Sequence, residues 1–212
     1  MGQDTRRIEG LYDRVAAEYA EVFSGELENK PMDREMLGRF SGLIGGRGPV
    51  WDLGCGPGQT TGYLRDLGVD ISGLDISDKM LEQARSLNPA IGFRKGDMLD
   101  LELESGSIAG VVAFYAIVHF TLEQAGTAMR EVSRILRPGG LLLLTYHIGK
   151  ESIHLNEFLG KDVDIDFMFF SNDDILGCLK ESGFGKIEII EREPYPDVEF
   201  ESRRAYVFAV KP

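Results

Sequence analysis

The sequence predicts an α/β fold, built on a seven-stranded, mostly parallel sheet with helices on both faces and a C-terminal antiparallel hairpin. A short apolar run, residues 49–53, stops at a loop with alternate glycines, and a helical pattern follows from Gln59. Further apolar runs alternate with helical patterns, which is typical of parallel strands joined by helices. The last two apolar runs have no helical pattern between them, so we expect them to pair as a hairpin.

The composition predicts one domain over residues 1–212, because this length suits a single α/β core. A formal net charge of −12 opposes binding to nucleic acid or to an anionic membrane surface. Cys55 and Cys178 have no metal-ligand spacing and form no disulfide framework, so we expect a reducing, cytoplasmic location. The first residues lack the apolar segment of a signal peptide, and the longest aliphatic run, residues 141–144, is too short to cross a bilayer.

Residues 1–48 are predicted to form a helical cap in front of the sheet. Apolar residues recur at three- and four-residue steps over residues 4–23 and again around Phe40, which indicates two amphipathic helices. Tyr12 and Tyr19 lie two turns apart on nearly one face of the first helix. Burial in the core is one explanation for this pair, and closure over a ligand is the other. The apolar faces predicted for the helices of the chain also include Val22, Leu43, Leu67 and Leu87.

Residues 49–146 contain the strands whose ends we expect to hold a ligand. Glycine permits positive φ and lets a ligand approach the backbone, so the loop after the first strand suits binding. A second strand, residues 69–74, ends at Asp75, where a carboxylate could accept hydrogen bonds from both hydroxyls of a ribose. A simple turn aspartate, in the segment Asp-Ile-Ser-Asp, is the alternative for Asp75.

The later strands of this half are marked by their apolar runs. The third strand, residues 91–95, precedes an Asp-Met pair at 97–98, and the fourth, residues 108–114, is apolar throughout. Such a run is expected of a central parallel strand covered on both faces. Residues 115–119 follow the fourth strand at the edge where open α/β sheets bind ligands. A helix opened by a capping box then leads through Arg-Pro-Gly-Gly into the fifth strand, residues 141–146.

Residues 147–170 are a lid-like insertion, because a connection in such folds usually has only about 2–6 residues. The insertion contains an acidic segment, 162–166, followed by an aromatic one, 167–170. These residue types suggest a lid over a small cationic or hydroxylated ligand. Residues 171–212 are predicted to form a capped helix and the final hairpin.

The glycine loop can be compared with known nucleotide-binding loops. A dinucleotide fingerprint has Gly-x-Gly-x-x-Gly and a Walker loop ends in Lys-Ser or Lys-Thr, and neither pattern follows the first strand. The sequence Asp-Leu-Gly-Cys-Gly-x-Gly at 52–58 instead resembles the first motif of class I S-adenosylmethionine-dependent methyltransferases, which have a Rossmann-like sheet. Asp75, residues 97–98 and the turn at 137–140 match three further motifs of that family in the same order. The resemblance covers about residues 49–212.

The resemblance implies a transferase that uses S-adenosyl-L-methionine, releases S-adenosyl-L-homocysteine and methylates a small-molecule acceptor. It implies that Asp97 accepts from the adenine amino group and that Met98 packs on the ring, whereas a solvated loop aspartate is the alternative. Many small-molecule members have a Tyr-x(6)-Tyr pair like Tyr12 and Tyr19. The cofactor-binding residues implied in this way are Tyr19, Asp52, Gly54, Cys55, Gly56, Asp75, Ile76, Met80, Asp97, Met98 and Phe114.

Methyl transfer from a sulfonium is an in-line displacement, so the protein mainly aligns the reactants. A general base is needed only when the acceptor is protonated at neutral pH. His119 and His147 are the candidate bases because both follow strands that end at the ligand edge, and Tyr115 could orient an acceptor. An ordinary packing or hydrogen-bonding role is the alternative for each histidine, and the loop that carries His154 cannot be placed. The sequence shows no metal-ligand cluster, so no metal is expected.

Two other classes of function stay open. An NAD(P)-dependent oxidoreductase would need a different glycine spacing and a hydride site. A noncatalytic methyltransferase-like subunit would keep the fold and bind a partner, although such chains usually lose the glycine loop or the ribose acid. We expect no nucleic acid and no membrane as partners, and a monomer or homodimer.

Overall fold

The computed structural model describes residues 5–212, so Asp4, where the N-terminal helix was predicted to begin, and the first residues lie outside the described part. The strands of that part are β1 (Val50–Leu53), β2 (Ile71–Asp75), β3 (Phe93–Lys95), β4 (Ile108–Phe114), β5 (Leu136–His147), β6 (Ile153–Phe158), β7 (Lys161–Phe167), β8 (Gly185–Arg192) and β9 (Arg204–Val210). Seven of them form one sheet in the order β3-β2-β1-β4-β5-β9-β8. β1 to β5 run parallel, and β9 is antiparallel to β5 and to β8. The predicted fold class is confirmed.

The helices begin and end where local chemistry favours it. They are α1 (Thr5–Phe23), α2 (Pro31–Ile44), α3 (Gln59–Asp66), α4 (Asp78–Leu87), α5 (Leu122–Ile135) and α6 (Asn172–Glu181), with a 3₁₀ turn at Glu26–Asn29. Ser77, Thr121 and Ser171 each accept a backbone N–H of the first helical turn, and Thr121 and Gln124 form a complete capping box. The predicted caps are therefore present.

The core lies on both faces of the sheet. β4 alternates its side chains between the two faces, so that Val111 packs in the cluster with α5 and α6 whereas Val112 packs in the cluster with α2. Both valines are fully buried, as the unbroken apolar run predicts. Gly110 lets α2 approach, because a Cβ there would lie 2.6 Å from Ile44 Cδ1.

The insertion at 147–170 is not an irregular loop. β6 and β7 pair antiparallel as a separate two-stranded hairpin, whose turn places Leu159 and Gly160 at positive φ. Val163 and Ile165 of β7 pack against Leu11 of α1 in a small cluster of their own. The hairpin and α1 therefore form one packed unit outside the main sheet.

Several predicted boundaries and faces were wrong. β5 begins at Leu136 rather than at 141, because Leu136 pairs with Ile108 before the ladder shifts, and β3 begins at Phe93 rather than at 91. Four residues placed on apolar helix faces are 44–56% exposed; they are Val22, Leu43, Leu67 and Leu87. In the described part of the chain, no helix is long and apolar enough to cross a membrane.

Candidate functional site

A cavity of about 720 Å³ lies at the carboxyl ends of β1, β2, β4 and β5. What we call its glycine-loop wall consists of lining residues from 52–60, 74–76 and 96–98. Its second wall consists of lining residues from α1, the β6–β7 hairpin, and the segments 25–30 and 198–204. Every residue predicted to bind cofactor or to act in catalysis lines this cavity. Their individual roles stay predictions.

The glycines of the loop have different functions. Gly54, Gly56 and Gly58 all have positive φ, between 52° and 81°, a conformation that favours glycine. A Cβ on Gly54 would lie 2.6 Å from the Cβ of Ala116, so this glycine permits close packing of two loops. A Cβ on Gly56 would meet no protein atom within 4 Å, although Gly56 lines the cavity. Gly56 therefore keeps backbone accessible to a ligand.

Asp75 connects the end of β2 to the glycine loop. Its Oδ2 accepts the Gly56 N–H at 2.8 Å, and its Oδ1 accepts the Ser77 N–H at 2.9 Å. Burial raises the pKa of this carboxyl, and the backbone N–H groups oppose the shift. Each oxygen has a second lone pair, so the carboxylate can still accept hydroxyl donors from the cavity. The turn role and the proposed ribose role are thus compatible.

Asp52 is the more deeply buried acid of this wall. Burial raises its pKa to about 7, opposed by a hydrogen bond that Thr61 Oγ1 donates to Oδ2 at 2.6 Å, and Asp75 raises it further. Burial likewise raises the pKa of the Cys55 thiol. A carboxyl that titrates near neutrality responds to any charge that enters the cavity.

Asp97 and Met98 lie beyond the end of β3. Oδ1 of Asp97 accepts the Leu99 N–H at 2.8 Å, while Oδ2 has no partner within residues 5–212. The Met98 side chain is buried but borders the cavity. An acceptor beside an apolar surface suits a flat ring with an exocyclic amino group.

His119 contacts both α1 and the β6–β7 hairpin of the second wall, one through each ring nitrogen. Its Nδ1 lies 2.9 Å from the carbonyl oxygen of Asp166, and its Nε2 lies 2.8 Å from the hydroxyl of Tyr12. A carbonyl only accepts, so Nδ1 carries the proton and Tyr12 donates to Nε2. Burial lowers the pKa of His119 to about 4. The predicted base is therefore neutral and already engaged at both nitrogens.

The aromatic pair of α1 borders the cavity rather than the core. The Tyr12 and Tyr19 rings meet edge to face at 5.9 Å, and Tyr19 also contacts Phe23 and, on the hairpin, Phe158. Burial raises the pKa of both tyrosine hydroxyls, so both stay protonated donors at neutral pH. The rings pack against their aromatic neighbours, as the first explanation predicts, and closure over a ligand stays a prediction.

His147 and Tyr115 lie at the end of the cavity beside β9. The His147 ring stacks on Phe169 at 5.4 Å and lies 5.2 Å from the Tyr115 ring. Burial, with a smaller contribution from Arg204, lowers the pKa of His147 to about 3. Tyr115 has a φ of 55°, and its buried hydroxyl has no partner among the described residues. Burial raises the pKa of Tyr115, so its hydroxyl is a protonated donor, and its role in orienting an acceptor stays a prediction.

A group of charged residues at this end was missed from the sequence. Glu199 accepts from Arg192, lies 3.2 Å from Arg204 Nε and 3.7 Å from Lys30 Nζ, and is almost fully buried. Lys30 also pairs with Glu26 at 2.5 Å. These residues come from two distant parts of the chain, 26–30 and 192–204, so no local pattern could have joined them. We call the cavity-lining members, Glu26, Lys30, Glu199 and Arg204, the charged end.

The insertion presents its aromatic side chains, not its acids, to the cavity. Phe158, Phe167 and Phe169 line it, whereas Asp162 and Asp164 are exposed and Asp164 pairs with Arg7. His154 lies outside the cavity lining, 2.9 Å from Asp166 Oδ1. The acidic segment therefore gives no support to a cationic ligand. Within the described residues there is no cluster of three or more potential metal ligands.

Comparison with known proteins adds a family match and several relatives. Residues 50–140 match the model of a methyltransferase domain. A malonyl-[acyl-carrier protein] O-methyltransferase of Enterobacter lignolyticus is 28% identical over 172 residues, which cover 75% of this chain and 66% of that protein. The chain spans about half to two thirds of the length of the first curated relatives it matches.

Solved structures share the fold at low identity. The [4+2]-cyclase SpnF superposes with a TM-score of 0.74 at 17% identity, covering 100% of this chain and 97% of that one. Haemonchus contortus phosphoethanolamine N-methyltransferase 2, solved with S-adenosyl-L-methionine, gives a TM-score of 0.62 at 17% identity, covering 77% of this chain and 48% of that one. At this identity the likeness shows the fold alone.

Proposed function

We propose that this chain, whose residues 50–140 match the model of a methyltransferase domain, is a class I S-adenosylmethionine-dependent methyltransferase that transfers a methyl group to a small-molecule acceptor. One observation carries the proposal. A single cavity brings the glycine loop, Asp75 and residues 97–98 together with an aromatic second wall. That arrangement provides for two molecules side by side, as a two-substrate transfer requires.

The glycine-loop wall fits the cofactor that the family uses. Gly56 leaves backbone open, Asp75 has lone pairs for vicinal hydroxyls, and Asp97 with Met98 offers an acceptor beside an apolar surface. These residues would hold the ribose and the adenine. When bound, S-adenosyl-L-methionine supplies a methyl group on a positively charged sulfur, which leaves as a neutral thioether.

The rest of the cavity acts on the acceptor. Phe158, Phe167 and Phe169 give it an apolar surface, and α1 packed on the hairpin separates it from bulk water. Because reactivity comes with the cofactor, these residues contribute by holding the nucleophile in line with the methyl carbon. The name of the Enterobacter relative favours an oxygen nucleophile.

Fold likeness alone does not set the reaction. The superposition on a [4+2]-cyclase is a reminder that one scaffold hosts different chemistries. A noncatalytic subunit is the second candidate function, and only turnover separates it from the first. We further propose a cytoplasmic monomer or homodimer, in keeping with the acidic composition and two buried free cysteines.

Differential scanning fluorimetry tests the cofactor. S-adenosyl-L-methionine and S-adenosyl-L-homocysteine should raise the melting temperature, because a ligand that binds only the native state stabilises it. NAD, NADP and ATP should leave it unchanged, and a shift with NAD alone would refute the proposal. Release of S-adenosyl-L-homocysteine with a panel of acceptors then distinguishes an enzyme from a binding subunit.

A further inference from the structure

The hydrogen bonds around His147 assign its proton. Nδ1 lies 2.7 Å from Ser202 Oγ, and that oxygen also accepts from Arg204 Nη1 at 3.2 Å. Arginine has no acceptor, so the hydroxyl proton of the buried Ser202 has one acceptor within reach in the described chain, His147 Nδ1. The neutral ring must then carry its own proton on Nε2.

Nε2 of His147 is available to a ligand. It has no hydrogen-bond partner within residues 5–212, and the ring lines the cavity. With a pKa of about 3, set first by burial and then by Arg204, Lys30 and Arg192 against Glu199, the ring stays neutral. His147 is thus a hydrogen-bond donor and a very weak base, in contrast to the role predicted from the sequence.

Among the described residues, His119 and the two glutamates at this end of the cavity are already engaged by other groups of the protein. His119 is engaged at both nitrogens. Glu26 pairs with Lys30, and although burial raises the pKa of Glu199, the hydrogen bond from Arg192 and the charge of Arg204 outweigh that effect and lower it. An acceptor bound here must therefore supply a nucleophile that is already deprotonated.

The apolar side chains near His147 indicate which kind of acceptor skeleton this end of the cavity favours. Phe169 stacks on His147 and meets Phe200 at 6.1 Å. Val198 and Phe200 are 45% and 54% exposed although they line the cavity. Exposed apolar side chains at a pocket favour a ligand with an apolar or aromatic body.

We propose that the second wall binds an organic acid, whose carboxylate or acidic hydroxyl accepts the Nε2–H of His147 and whose apolar body lies on Phe169 and Phe200. The inference rests on the proposed function. The anionic oxygen supplies the electron pair of the new O–C bond, the C–S pair remains on sulfur, and no proton is released. Two opposite charges are neutralised, so the products are an uncharged ester or ether and a thioether.

Isothermal titration of the protein saturated with S-adenosyl-L-homocysteine tests this at neutral pH. Cinnamate should bind at least about tenfold more tightly than cinnamamide and cinnamylamine, since a charge-assisted hydrogen bond is worth about 1.5–3 kcal/mol. A second titration compares the affinities of para-nitrophenol and para-nitroanisole. Together with the cinnamate series, it shows whether the site prefers an acidic hydroxyl or a carboxylate. A preference for the anion in either arm supports the proposal and identifies the source of the oxygen.

Two variants test whether the Nε2–H group of His147, rather than the folded structure in general, causes the preference for the anion. His147→Phe keeps a stacking ring but removes Nε2–H, so the preference for the anion should fall about tenfold. His154→Phe, outside the cavity, is the matched control and should keep that preference. Nitrogen NMR of labelled histidine should show the His147 proton on Nε2, and Ser202→Ala should disturb that tautomer.

The outcomes are distinct from those of the proposed function. If S-adenosyl-L-homocysteine binds but neither anion is preferred, or the amine binds most tightly, the organic-acid inference fails and methyl transfer stands. A proton on Nδ1 of His147 would also overturn it. Failure to bind S-adenosyl-L-homocysteine would remove both.

Discussion

The two walls of the cavity are built in different ways. The glycine-loop wall consists of consecutive residues at the ends of adjacent parallel strands, and backbone N–H groups satisfy its key acid, Asp75. The charged end of the second wall joins side chains more than 150 residues apart, such as Lys30 and Glu199, whose positions differ by 169 (199 − 30). Backbone geometry determines the first wall, and paired side-chain charges determine the second.

This difference predicts how each wall fails. The glycine-loop wall should be disrupted when a substitution adds a side chain to its backbone. The charged end should instead lose stability when one partner of an ion pair is removed. Matched pairs of substitutions, one at the site and one control, test this contrast.

Arg192→Met should destabilise the protein by about 3–5 kcal/mol, because it leaves the buried carboxylates of Asp33 and Glu199 without their shared partner. Arg203 is the matched control, since it pairs with Glu191 and Glu193 at the surface. Arg203→Met should cost less than about 1 kcal/mol. Urea unfolding followed by circular dichroism measures both. Equal losses in the two variants would show that the buried network is not what holds this wall.

Gly54→Ala should destabilise by about 2–4 kcal/mol, because the new Cβ meets Ala116 and the residue keeps a left-handed φ. Gly56→Ala also places alanine at a left-handed φ but causes no steric clash, so we expect a loss of about 1–2 kcal/mol in the free energy of unfolding. For the affinity for S-adenosyl-L-homocysteine the order should reverse. Gly56→Ala should lower that affinity more than Gly54→Ala, because the methyl group on residue 56 would enter the cavity space that the ligand needs. Unfolding and calorimetry on the two variants should therefore give opposite rankings. The same ranking in both measurements would contradict the assignment of Gly54 to loop packing and of Gly56 to ligand access.

Asp75→Ala should weaken S-adenosyl-L-homocysteine binding by about 2–4 kcal/mol, the equivalent of two charge-assisted hydrogen bonds. Stability should fall as well, by about 1–3 kcal/mol, because the N–H groups of Gly56 and Ser77 lose their acceptor. The nearby exposed Asp78 pairs with Lys95 and does not line the cavity, so Asp78→Ala is the control. Unchanged affinity in Asp75→Ala, measured by calorimetry, would leave Asp75 as a turn residue only.

The part of the stability that depends on His119 and His147 should decrease as the pH falls from about 6.5 to 5, against an opposite contribution from Asp52, whose raised pKa of about 7 favours the folded protein at lower pH. The folded-state pKa values of His119 and His147, about 4 and 3, lie below the ordinary 6.5, so the unfolded chain binds these protons first. Their contribution is complete above pH 6.5 and is lost below it, at about 1 kcal/mol per pH unit for each residue. His119→Gln should remove about half of this slope, whereas His154→Gln should not. An unchanged slope in His119→Gln would mean that its ring is already charged in the folded protein.

The smallest expected effect is a gain in order of the second wall on binding. α1 and the hairpin contact each other through Leu11, Val163 and Ile165, and both lie outside the seven-stranded sheet, so we expect them to move together as one lid. S-adenosyl-L-homocysteine should protect residues 8–23 and 148–170 from hydrogen exchange beyond the protection gained in the central strands. Identical exchange with and without the ligand would exclude a mobile lid.

The glycine-loop wall was predictable because its signals are local. Gly54, Gly56 and Asp75 each lie where a strand pattern ends, and the carboxyl ends of parallel strands share one edge of the sheet. The capping residues Ser77 and Thr121 were found for the same reason, since a cap acts within one helical turn. The exposed ends of α2 and α4 were misjudged because periodicity does not show where the neighbouring element stops.

The sequence by itself thus determined the parallel strands of the main sheet, the hairpin at the end of the chain and the position of the ligand edge, because hydrophobic period and turn chemistry act over a few residues. Only the tertiary structure decided what the histidines can do. Tyr12 comes to His119 across 107 positions, and Ser202 comes to His147 across 55, and these contacts fix the tautomers of both rings. Protonation depends on burial and on charges brought close in space, and no spacing along the chain encodes those distances.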